Sequence, residues 1–118
     1  MKTIKLITLT EEEKKEIEIS YKELEKPQVT LEEVIKKNNN QTYAALKHIG
    51  NARGEWKDIE DMVTYTNALK KINAAKGKTV SLDNDEVKLI KKVMQEAVKS
   101  KKFGFSIDKM AEVYESFS

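Results

Sequence analysis

Three stretches of this chain carry residue types that chemistry could use. Gly77-Lys78-Thr79 reads like the end of a phosphate-binding loop, in which backbone N–H groups and a lysine cradle phosphates. That motif needs a second glycine five residues upstream, where this chain has Ile72. The segment also follows a helical pattern where the motif follows a strand, so a helix end and a turn are expected instead. His48 is the sole histidine and the chain has no Cys, so it lacks the companions a zinc site requires. A Ser–His–Asp triad would also have to use His48, and no local signature singles out a serine beside it. The acids at 11–13 and 55–61 cluster at expected helix starts, where carboxylates suit the helix dipole. Catalytic, metal-binding and cofactor-binding residues are therefore expected to be absent, and the chain reads as a non-enzyme.

A further stretch is basic. Lys70 to Lys102 holds ten lysines against Asp83, Asp85, Glu86 and Glu96, a net of +6. A nucleic acid would suit such a patch. Many of these lysines fall near expected helix C-termini, however, where cations are favoured in any case. The chain's single Arg lies elsewhere, and lysine grips phosphate or guanine only as a point charge. A helix-turn-helix over 84–117 would have to read DNA with Ile107–Phe117, which carries Asp108, Glu112 and Glu115 against one Lys109. Lys88, Lys91, Lys92, Lys99 and Lys102 are the candidate nucleic-acid-binding residues, as the alternative to a protein partner.

Aromatic residues near turns supply the protein-binding candidates: Trp56, Tyr65, Phe103, Phe105, Tyr114 and Phe117. Trp and Tyr are enriched at binding hot spots, although the same side chains also anchor cores. Thr3–Leu9, an unpaired β-type segment, is a further candidate, since such an arm can add to a partner's sheet.

The elements that must position these residues are mostly helical. Leu82–Lys102 is the organising stretch: Asp83 and Glu86 form a capping box, Leu82 and Val87 a staple. Val87, Ile90, Val93, Met94 and Ala97 then recur at spacings of three and four, with Leu89 and Val98 widening the stripe. Thr10 to Glu13 is another capping box, predicting a helix over about 11–25 with Ile17, Tyr21 and Leu24 inward. A strand over Glu16–Tyr21 competes with it, through the alternation Ile17, Ile19, Tyr21. Thr30 caps a short helix to about Lys37, and the run Asn38-Asn39-Asn40 breaks it. Asn40-Gln41-Thr42 matches a glycosylation acceptor but is expected to serve as the cap of a helix bearing Tyr43, Leu46 and Ile49. Gly50 and Gly54 bracket a turn. The longest pattern runs over about 55–76, with Trp56, Ile59, Met62, Val63, Thr66, Leu69 and Ile72 as its stripe and Gly77 as a left-handed cap. Phe103-Gly104-Phe105 turns the chain, and Ser106 caps a last helix, with Phe105 and Met110 as its staple. Ile107, Met110, Ala111, Tyr114 and Phe117 form its apolar face.

The fold expected is all-α: one domain over 1–118 with five or six helices, residues 1–10 forming an extended arm or short strand. If that strand pairs, its partner would be Glu16–Tyr21, another chain or a bound protein. At 118 residues, 39% hydrophobic and 36% charged, the chain can bury a core of its own. Charge divides unevenly: residues 1–63 carry 11 basic and 13 acidic side chains, and 64–118 carry 11 and 7. The N-terminal residues lack the long apolar run of a signal peptide, and no stretch reaches the roughly 20 apolar residues of a membrane span. A cytoplasmic protein without a membrane partner is expected. In texture the chain is similar to small accessory proteins of phages and mobile elements: compact, helical, cysteine-free and without catalytic signatures. That resemblance implies a non-enzymatic interaction module, which binds a host protein or assembles with copies of itself.

Overall fold

The computed structural model describes residues 1–54, 56–101 and 106–118. Among them the order is β1 (Lys2–Lys5), α1 (Glu11–Lys22), α2 (Leu31–Asn38), α3 (Gln41–Ala52), α4 (Ile59–Ala74), β2 (Thr79–Leu82), α5 (Asn84–Lys99) and α6 (Ile107–Ser116). The chain is thus all-α with a two-stranded addition. Glu16–Tyr21 is helical, because the Thr10 capping box starts α1 and nothing interrupts it before Lys22.

Helix α5 holds the centre. Asp83 is its N-cap residue, and the Asp83 N–H donates to Glu86 Oε1 at 2.9 Å. Val87, Ile90, Val93, Met94 and Ala97 are all buried. Around them gather Ala45, Leu46 and Ile49 of α3, Tyr65, Ala68 and Ile72 of α4, Met110 and Val113 of α6, and Phe117. Each fully buried aliphatic or Phe side chain contributes about 1.5–3 kcal/mol, so this one cluster dominates the stability.

Thr3–Leu9 does not wait for an outside partner. β1 pairs antiparallel with β2, with Ile4 opposite Val80 and Lys2 opposite Leu82, and Ile4 and Leu82 are fully buried. The rest of the segment is held by its own chain. The Ile7 N–H donates to buried Thr42 Oγ1 at 2.9 Å, and Ile7 O accepts from the Gln41 N–H at 2.9 Å. Gly77, expected as a left-handed cap, takes no positive φ; Ala75 caps α4 in extended backbone, and the chain runs directly into β2.

Three further expectations change. Gly50 does not bracket a turn, because α3 continues to Ala52; the positive φ of +78° belongs to Gly54. The buried stripe of α4 is Tyr65, Ala68 and Ile72, which leaves Ile59, Met62 and Val63 exposed. Small Ala68 lets α4 approach the core on the Tyr65 side. Helix α1 buries no residue fully: Ile17 and Tyr21 are half-buried and Leu24 is exposed beyond its end. The helix expected from near Glu55 starts only at Ile59, because Asp58 is its N-cap and accepts from the Glu60 N–H, so Trp56 precedes α4 and is not part of its stripe. The staple through Phe105 lies outside the described residues.

Candidate protein-binding groove

Helices α5 and α6 leave a gap between them that their own side chains do not fill. Met94, Gln95, Val98 and Lys99 of α5 and Ile107, Met110, Ala111 and Tyr114 of α6 line a groove of about 730 Å³. Its floor is the edge of the core, through Met94 and Met110. Its walls are open: Val98 is 51% and Ile107 76% exposed. The sequence places them there by periodicity. On a helix, positions three and four apart share a face, so Lys91, Met94, Gln95 and Val98 follow one flank of α5 beside its buried stripe. Ile107, Ala111 and Tyr114 do the same on α6.

One end of the groove is pinned. Gln95 Nε2 donates to the Tyr114 hydroxyl at 2.8 Å, and the Lys91 ammonium lies 5.5 Å from the Tyr114 ring centroid. Tyr114 is half-buried and fixed in place. Beyond the apolar strip the two helices differ in charge. Lys88, Lys92 and Lys99 are exposed on the outer side of α5, and Asp108, Glu112 and Glu115 on the outer side of α6. None of the six forms an ion pair with another described residue.

The other aromatic candidates are placed differently. Tyr65 is buried, its hydroxyl donates to Leu46 O, and burial pushes its pKa well up, although the Arg53 charge pulls the other way. Phe117 is fully buried in the core. Neither offers a surface in the monomer, because the core uses both. Trp56 is half-buried against that core, its ring centroid 5.2 Å from that of Tyr65. Arg53 lies over the Trp56 ring at 4.7 Å and pairs with Glu96. This cluster borders a smaller pocket of about 270 Å³. Its single arginine is spent on Trp56 and Glu96, although Arg53 Nε stays buried without a hydrogen-bond partner among the described residues. Phe103, Phe105 and Lys102 lie outside the described residues. Of the lysine candidates, Lys88, Lys92 and Lys99 share one exposed ridge of α5, while Lys91 is half-buried over Tyr114.

Chemically the groove offers apolar contact and a few hydrogen-bonding tips. Among the described residues, no three His, Cys, Asp or Glu side chains are grouped to hold a metal ion. No helix there is long and apolar enough to cross a membrane. Val98 and Ile107 were not singled out from the sequence as contact residues. The available signal was the width of the α5 stripe: Leu89 and Val98 flank it on opposite sides, too far apart for one core to cover both. Comparison with protein-family models, with curated proteins and with solved structures finds no match.

Proposed function

We propose that this protein is a non-enzymatic protein-interaction module and that the α5–α6 groove is its working surface. The observation that carries this reading is the open apolar wall formed by Val98 and Ile107 beside the fixed Tyr114. Exposed apolar side chains are ordinary when single. Here they line one groove continuous with the core and rimmed by charge, which is the anatomy of a protein contact site. A small accessory role, on a host protein or through assembly of copies, fits such a surface. Val98→Asp and Ile107→Asp test it, since both positions are exposed and neither supports the core. Each variant should keep the wild-type circular dichroism spectrum and melting transition while weakening protein association by about tenfold or more, as hot-spot losses do. Wild-type association by both variants would remove the groove from function.

A further inference from the structure

The charges beside the groove identify what fills it. On α5, Lys88, Lys92 and Lys99 follow Gln95 around the helix, and Lys99 lines the groove itself, so the α5 side of the groove is flanked by positive charge. On α6, Asp108, Glu112 and Glu115 follow Ala111, so the opposite rim is acidic. All six are exposed and none is neutralised by a described neighbour. A partner that covers the apolar strip must meet three positive charges on one side and three negative charges on the other. We infer that this partner is a second copy of the same chain, docked groove to groove about a two-fold axis that runs along the groove. The inference rests on the groove being the protein-binding surface.

The symmetry follows from the placement of charge. A two-fold axis parallel to the groove turns a second copy face down and exchanges its left and right sides. The α5 rim of one copy then lies over the α6 rim of the other, basic on acidic, twice. A two-fold axis across the groove would set lysine on lysine and acid on acid, and like-charge contacts of that kind cost several kcal/mol. Closed two-fold contacts are also the commonest arrangement of identical chains, because one self-complementary patch satisfies both partners. In the favoured arrangement Val98 and Ile107 of each copy meet the other's apolar strip, and the Ile107 side chains leave water. Helix α6 returns along α5, since Lys91 and Gln95 meet Tyr114 near its far end. Each α5 therefore runs antiparallel to the α6 that it covers, which also sets opposite helix dipoles side by side.

Sedimentation equilibrium of the full chain over rising concentration tests this, with four variants: Ile107→Asp, Lys92→Glu, Glu112→Lys and the double Lys92→Glu/Glu112→Lys. The wild type should dimerise, and the Kd should rise at least about tenfold in Ile107→Asp and in each single reversal. Lys92→Glu and Glu112→Lys mixed together should form heterodimers more tightly than either associates alone, because both rim pairs are acid on acid in the first homodimer and base on base in the second, whereas both carry opposite charges in the heterodimer. The double variant should regain most of the wild-type affinity. A wild type that stays monomeric throughout would overturn the two-fold dimer. If Ile107→Asp then still lost binding to a different protein, or to nucleic acid, the occupant would be that molecule; the first of these outcomes leaves the groove as a protein site, and both reject self-pairing. A dimer indifferent to all four substitutions would place the contact elsewhere and reject the inference as well.

Discussion

Gly50 lies in the third turn of α3, where a Cβ would come within 2.7 Å of Tyr65 Cε1. The ring cannot easily withdraw, because its hydroxyl is bonded to Leu46 O and Trp56 stands beside it. Alanine favours a helix over glycine by about 0.8–1.0 kcal/mol, but overpacking a core costs typically about 1–3 kcal/mol. The clash should win: Gly50→Ala is expected to lower stability by up to about 2 kcal/mol in urea unfolding. Equal or greater stability would show that Tyr65 yields. Glu13 provides a second test at this scale. Burial alone would raise its pKa from 4.5, but hydrogen bonds from Lys109 and Thr10 and the Lys109 charge lower it. A carboxylate held below its unfolded value stabilises the fold above about pH 4.5, and that contribution disappears as pH falls through the folded value. Glu13→Gln should therefore melt below the wild type at pH 7, and the gap should close on acidification. A gap that widened toward low pH would contradict the assignment.

At the scale of elements, α1 and α2 are attached differently from the rest. Neither buries a residue fully. Tyr21 donates to Val29 O at 2.7 Å within the pair, and Lys109 of α6 reaches Glu13 at 2.9 Å. Segments with few buried contacts open at lower free energy than the core, so amide exchange should be faster in α1 and α2 than in α5. Protection of α1 equal to that of α5 would refute this. Ile90→Ala, at the centre of the core, should cost about 2–5 kcal/mol, against about 1 kcal/mol for loss of the Asp83 cap. The helix starts were legible because caps are local. Thr10, Thr30, Asn40 and Ser106 each accept a backbone N–H of their own helix, and Asp83 is the N-cap of α5. The start of α4 was less so, since its cap is Asp58 and its sequence offers two apolar faces that only tertiary packing can rank. β2 was not legible, because four residues become a strand only when paired with residues some 75 positions earlier. The groove was half legible: Tyr114 stood out by type, whereas Val98 and Ile107 become exposed only through the way α6 docks.

For the whole molecule, the question is whether the C-terminal excess of lysine makes a nucleic-acid surface. The formal net charge is only +2, and the ridge of Lys88, Lys92 and Lys99 runs along α5 beside α6, whose outer side carries Asp108, Glu112 and Glu115. A phosphate chain laid on that ridge would approach Asp108, Glu112 and Glu115 as well. At most about three phosphates are neutralised, so the slope of log K against log salt should be near −2.7, about 0.9 for each contact. Affinity for any duplex should then fall about fortyfold between 50 and 200 mM salt, without preference for sequence. Fluorescence anisotropy with two unrelated duplexes reads both properties, and replacing the three lysines with Ala should abolish the signal. The proposed dimer adds a sharper expectation, because it would bury the same lysines against acids of the second copy. Duplex and dimer must compete, so bound duplex should rise less than in proportion to added wild type once dimers form, whereas the weakly dimerising Ile107→Asp should bind duplex along a simple hyperbola. Tight binding that persists at 200 mM salt and strengthens as the wild type dimerises would instead place the lysine ridge outside the dimer contact and make nucleic acid the main partner.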